Sequence, residues 1–213
     1  MSEKTFIESQ HEHFESHGYV RLGMLLDQSD LQLLRDRIDA LMLGQITNEN
    51  IAFQLDSNDG EASGIGKRTY GLSKKTLAHR RIDELHNDNL FLSYMQHPLF
   101  RFITQRYIGE DVSVFRSMFM NKPAGKGTPL RWHQDVGVGW GLDSNPIISV
   151  WTALDDATPK TGCMQIVPGS HQLGVLTEGH FTSEEDQAKS LTELEESANK
   201  EHVPPIFLDV MYQ

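Results

Sequence analysis

The sequence predicts an α+β chain: helices first, then an antiparallel sandwich or barrel. Two observations carry this. Apolar residues recur at helical spacing through much of residues 6–107, and from residue 112 onward short β-prone runs are separated by Gly, Pro, Asn and Asp. No helix alternates with strand in the second half, so a parallel βαβ sheet is not expected.

The elements follow in order. Phe6 to His17 reads as a short amphipathic helix stopped by Gly18, and Tyr19-Val20-Arg21-Leu22 offers a brief strand. Ser29 can cap a second helix whose Leu31, Leu34, Ile38 and Leu41 share one face until Gly44 ends it. Residues 48–66 are rich in Asn, Asp, Ser and Gly without periodicity and read as a long loop. Asn89 to Tyr107 is helical again, with Pro98 suited to a renewed first turn and Gly109 to a stop. Strands are then expected at Val112 to Lys122, Leu130 to Asp135, Ile147 to Leu154, Cys163 to Val167 and Ile206 to Tyr212. Ser183 to Glu201 interrupts them with an acidic helix-favouring insertion. Pro168-Gly169 has the composition of a type II turn.

Bulk properties narrow the class. A chain of 213 residues, 38% hydrophobic and 23% charged, suits one folded domain, taken as residues 1–213. Its formal charge of −11 disfavours a nucleic-acid or anionic-membrane surface. The short basic groups Lys67-Arg68, Lys74-Lys75 and Arg80-Arg81 read as solvated surface. The one cysteine, Cys163, forms no intramolecular disulfide and reads as a buried strand thiol; with no apolar run long enough to span a bilayer, a cytoplasmic location is expected.

The chemistry centres on Leu130-Arg131-Trp132-His133-Gln134-Asp135. In extended chain His133 and Asp135 point to one face and Gln134 to the other, which supplies two members of a 2-His-1-carboxylate site for non-haem Fe(II). The tripeptide alone is weak: ten histidines and fifteen aspartates in 213 residues give about 0.7 such patterns by chance. A second one, His86-Asn87-Asp88, adjoins helical sequence and reads as a cap, with Asp88 or Asn87 as the capping residue.

Four segments in fixed order separate the two. Phe115-Arg116-Ser117-Met118-Phe119-Met120-Asn121-Lys122-Pro123, Arg131-Trp132-His133-Gln134-Asp135, Val150-Trp151-Thr152-Ala153-Leu154-Asp155-Asp156-Ala157 and Gly162-Cys163-Met164-Gln165-Ile166-Val167-Pro168-Gly169-Ser170-His171 together resemble the phytanoyl-CoA dioxygenase family. A Phe followed by Gly-Tyr-Val, from Phe14 to Val20, extends the likeness toward the N-terminus. The resemblance implies a double-stranded β-helix, or jelly-roll, flanked by N-terminal helices. It implies an Fe(II)- and 2-oxoglutarate-dependent dioxygenase acting with molecular oxygen on a small organic molecule. By the same likeness His133 and Asp135 are the catalytic iron ligands, and Met118, Gln134, Trp151 and Arg81 are the co-substrate contacts, Arg81 standing where the family tends to carry lysine. The retained carboxylate of Asp135 implies hydroxylation rather than halogenation. His171 is not a ligand in this likeness and reads as a turn histidine.

The family completes its site with a distal histidine and then an arginine for the far carboxylate of 2-oxoglutarate. Neither is present: no arginine follows Arg131, and His180 and His202 sit in the wrong surroundings. The expectation is therefore a C-terminally truncated domain with its final strands missing. A different class, a non-catalytic jelly-roll binding module, stays open beside the enzyme. Phosphate-loop readings fail on spacing: in the run from Gly60 to Lys67 the first required glycine is displaced and Arg68 holds the hydroxyl position. The alternating Gly137, Gly139 and Gly141 do not form a dinucleotide fingerprint.

Overall fold

In the computed structural model the described residues are 3–125, 127–130, 133–135, 143, 148–173, 206–207 and 210–212. The chain divides into two compact units, Met1–Met24 with Leu130–Gln213, and Leu25–Pro129.

In the continuous unit, α1 of the N-terminal segment being left to its own unit, the first element is α2 (Gln28–Met42). Its cap is Asp27, not Ser29: the Asp27 carboxylate accepts from Asp30 N at 2.8 Å and from Ser29 Oγ at 2.7 Å. A carboxylate at the helix start also meets the positive end of the helix dipole, which makes it the better cap. The helix buries Leu34, Ile38, Leu41 and Met42, the face that the spacing predicts. Residues 48–66 are not all loop. Ala52–Leu55 forms β1, the centre of an antiparallel sheet with β2 (Thr69–Tyr70), β3 (His79–Asp83) and β4 (Met118–Met120), in the order β2-β1-β3-β4. Only four residues long, β1 carries too little alternation to be seen within its polar flanks.

Register gives this sheet two unlike faces. Phe53 lies opposite Thr69 and Ile82, and Ile82 opposite Phe119; with Phe53 and Ile82 at 2% and 0% exposure, this face belongs to the core. The other face carries Tyr70, Ala52, Gln54, Arg81, Asp83, Met118 and Met120. A bulge between Gln54 and Leu55 pairs Leu55 with His79 and turns that histidine toward Phe53, the rings 5.3 Å apart. His79 is fully buried, its Nδ1 2.7 Å from Thr76 O, and burial pushes its pKa below the ordinary imidazole value.

Two helices close the unit: α3 (Asn89–Met95) and α4 (Pro98–Ile108). Asp88 caps α3, accepting from Leu90 N at 3.0 Å, and its carboxylate lies 3.5 Å from Arg37 Nη1 of α2. The His86-Asn87-Asp88 pattern is thus a capping region, as its helical context indicates. Pro98 opens α4 and Gly109 ends it, as expected.

In the other unit α1 (Glu3–His17) ends at Gly18 with φ of 78°. Its last carbonyls are met by residues from far along the chain. Gly169 N donates to His17 O at 2.9 Å, Gln172 Nε2 to Ser16 O at 3.2 Å, and His171 Nε2 lies 2.9 Å from Glu15 O. These are the acceptors a helix C-terminus leaves unsatisfied. The Pro168-Gly169 turn is type II in form, with Gly169 at φ 78° and Ser170 N donating to Val167 O. His171 is therefore a turn histidine that clasps a helix end. Tyr19 and Ile166 form a small core against which Trp151 and Met164 pack. Three of the expected runs in this unit hold strands, though shorter ones: β5 (Val150–Thr152) pairs antiparallel with β8 (Val210–Tyr212), and β6 (Gln165–Ile166) with β7 (Ile206–Phe207), whereas the described residues of the run Leu130 to Asp135, 130 and 133–135, form no strand. Only Val20, as a single bridge, remains of the strand expected at Tyr19 to Leu22. Cys163 is a buried free thiol. The acidic insertion Ser183 to Glu201 and the glycines 137, 139 and 141 lie outside the described residues. No helix among the described residues is long and apolar enough to cross a membrane.

Candidate functional site

His133 and Asp135 come together: His133 Nε2 lies 3.5 Å from Asp135 Oδ1. Two donors bound to one ion at about 2.1 Å, in cis positions of an octahedral or tetrahedral site, lie about 3.0–3.5 Å apart. One imidazole nitrogen and one carboxylate oxygen at that separation are within reach of a single divalent ion, closing by about half an ångström for cis octahedral positions. Their side chains are 27% and 34% exposed, so the pair is open to solvent on one side. Gln134 between them is half-buried. Arg131 and Trp132 lie outside the described residues. Among the described residues, no third His, Cys, Asp or Glu joins the pair.

Trp151, in the same unit, is half-buried on β5 against Tyr19 and Ile166. Met118 and Arg81 belong to the other unit, and register brings them onto one face of its sheet. Arg81 stands opposite Met120, and Asp83 opposite Met118. Met118 and Met120 are each 37% exposed.

Arg81 does not act there alone. Its Nε lies 2.8 Å from Asp83 Oδ2, an ion-pair distance without hydrogen-bond alignment. Arg68 donates from Nε to the same oxygen at 3.1 Å and from Nη2 to Glu84 Oε1 at 2.6 Å, while Arg116 Nε lies 3.8 Å from Asp83 Oδ1. Asp83 is 1% exposed, a buried carboxylate made tolerable by three guanidinium groups.

Lys74-Lys75 is exposed as expected, but Arg80-Arg81 is not solvated surface. Arg80 is 8% exposed, and its Nη1 donates to Thr128 O at 2.9 Å and lies 3.9 Å from Asp56 Oδ1. Burial lowers its pKa and Asp56 opposes that shift. Asp56 accepts from Thr128 Oγ1 at 2.6 Å and Thr128 N at 3.2 Å, and Ser57 Oγ is 2.9 Å from Thr128 Oγ1. Reading residue types by charge missed this network and the Asp83 hub. The alternation Arg81-Ile82-Asp83, a strand pattern with two charges on one side and Ile on the other, is the signal that could have found the hub.

Comparison with known proteins places these observations. The profile of the phytanoyl-CoA dioxygenase family matches residues 14–205. Peroxisomal phytanoyl-CoA dioxygenase of Bos taurus is 24% identical over 168 residues, covering 76% of this chain and 47% of the relative. A probable alpha-ketoglutarate-dependent hypophosphite dioxygenase of Stutzerimonas stutzeri is 23% identical, covering 78% of this chain and 54% of the relative. The chain therefore spans about half the length of these curated relatives. Among solved structures, EctD from S. alaskensis with bound Fe superposes with a TM-score of 0.63 at 18% identity, covering 100% of this chain and 67% of that one. That likeness concerns the fold, helices with antiparallel sheet. With a family match through both compact units and the quoted motifs inside it, the chain belongs to the phytanoyl-CoA dioxygenase family, whose members work with Fe(II) and 2-oxoglutarate.

Proposed function

We propose that this chain is part of a non-haem Fe(II)- and 2-oxoglutarate-dependent dioxygenase that hydroxylates a small organic substrate. The observation that carries the reading is the 3.5 Å approach of His133 Nε2 and Asp135 Oδ1 within the family match. In this reading the two side chains hold the metal, and the partial exposure of both leaves room for small molecules to reach it. Bound iron supplies the redox chemistry that couples decarboxylation of the keto acid to insertion of oxygen into a C–H bond. By the family likeness Gln134 and Trp151, in the unit that carries His133 and Asp135, contact the co-substrate, the half-buried indole of Trp151 supplying an apolar wall.

The same reading takes residues 1–213 as one jelly-roll domain. The family match running from 14 to 205 supports it, as do the antiparallel pairings of β5 with β8 and β6 with β7. The buried free thiol of Cys163 suits a reducing, cytoplasmic compartment.

Anaerobic titration with Fe(II) and 2-oxoglutarate tests the proposal. The expected result is a visible metal-to-ligand charge-transfer band that is lost in His133→Ala and in Asp135→Ala. Absence of any band in the unsubstituted protein would point instead to a non-catalytic binding module, and a band that survives in His133→Ala would reject the ligand assignment.

A further inference from the structure

We infer that Thr128 is a positioning residue for the proposed metal pair: bonded through all of its polar groups to Asp56, Ser57 and Arg80, it sets the place and direction from which the chain runs to His133. The run is short. Only residues 129–132 lie between Thr128 and His133, and five residue steps reach no farther than about 17 Å. Thr128 N donates to Asp56 Oδ2 at 3.2 Å and Thr128 Oγ1 to Asp56 Oδ1 at 2.6 Å, while Thr128 O accepts from Arg80 Nη1 at 2.9 Å. Because a peptide unit is planar, holding the N–H of a residue fixes the plane before it, and holding its C=O fixes the plane after it. Thr128 is held on both sides, so the direction in which the chain departs is set. The ring of Pro129 then fixes the next φ near about −65°. With the Thr128 hydroxyl proton given to Asp56, Ser57 Oγ, 2.9 Å away, is the donor to Thr128 Oγ1.

The anchors are themselves fixed by the sheet. Arg80 stands on β3, and Asp56 directly follows β1, its N–H donating to Ala78 O at 3.0 Å and its Oδ1 accepting from Ser57 N at 2.8 Å. At the other end of the same connection Asn121, the first residue after β4, donates from N to Arg80 O at 2.8 Å. Its Nδ2 donates to Leu77 O and His79 O at 3.0 and 2.9 Å. Both ends of the stretch from Asn121 to Thr128 are thus tied to β3 and its approach. Asp56, Ser57, Arg80 and Thr128 are each at most 9% exposed. Hydrogen bonds in such a place are charge-assisted, little screened and directional, whereas an apolar anchor fills space without choosing a direction. Metal ligands need to be held to within about half an ångström, which is the use of a support of this kind.

The role toward the metal rests on the proposed function, whereas the tether does not, so both are measured. In the metal-free full chain, amide 15N order parameters of His133, Gln134 and Asp135 are followed beside those of β1 and β3. Thr128→Val, isosteric but without the hydroxyl, is expected to lower them at 133–135 and leave those of the strands unchanged. Thr128→Ser keeps the values of the unsubstituted protein, and so does Ile38→Val, which loosens the buried face of α2 instead. In the anaerobic titration Thr128→Val weakens Fe(II) binding at least tenfold and Ser57→Ala weakens it less, while Thr128→Ser and Ile38→Val bind as the unsubstituted protein does. Unchanged order parameters in Thr128→Val, equal falls in Ile38→Val, or undiminished Fe(II) affinity in Thr128→Val overturns the inference. Order parameters that follow the expected pattern in a protein that gives no charge-transfer band support the tether and reject the metal reading.

Discussion

At the residue scale, His79 makes a defined pH dependence. The folded chain resists protonating it because the ring is fully buried beside Phe53, with only Thr76 O opposing that cost, and its pKa lies below the ordinary value. An unfolded chain takes up the proton near pH 6.5. Below about that pH the unfolded state therefore binds a proton that the folded state does not, so stability is level above about pH 6.5 and falls as pH drops from there toward the folded pKa. Urea midpoints measured at pH 7.5 and 5.5 should fall further in the natural protein than in His79→Asn; an equal fall would exclude His79 as the source. The same scale shows what sequence can reveal. The nearness of His133 and Asp135 was legible because their relation is local, two positions apart in the sequence. Arg80 was not, because its burial depends on Asp56 and Thr128, 24 and 48 positions away, and charge alone suggests the opposite.

At the element scale, α2 and α4 were readable, since apolar spacing and the stops Pro98 and Gly109 act within one or two turns. Strands β1 and β3 were hidden because the sheet is short, one face is charged, and a bulge at Gln54 and Leu55 breaks the alternation that would mark it. The end of α1 yields a prediction here. Gly18 has φ of 78°, and a Cβ added there would stand 2.5 Å from His171 Nδ1. Gly18→Ala thus meets both the left-handed backbone penalty, about 1–2 kcal/mol, and the ring that closes the helix end. A lower urea midpoint is expected, partly relieved in Gly18→Ala/His171→Ala by removal of the clash; equal stability of the two variants would show that the ring is not the obstacle.

At the scale of the whole molecule, a single domain and two compact units are distinguishable by unfolding. Thermal transitions followed by far-ultraviolet circular dichroism and by Trp fluorescence should coincide, because the family match runs unbroken through both units and the three tryptophans, 132, 140 and 151, all belong to one of them. Separated midpoints would show two domains. The clasp of Gly169, His171 and Gln172 on the end of α1 joins positions more than 150 residues apart. Closing a loop of that length costs about 4–5 kcal/mol of chain entropy. On the ribosome the first helix emerges long before the turn that receives it, and the continuous stretch from Leu25 to Pro129 is complete in the meantime. The helix that ends at Gly18 is accordingly made well before its permanent neighbours, and a chaperone waiting at the exit tunnel meets it bare.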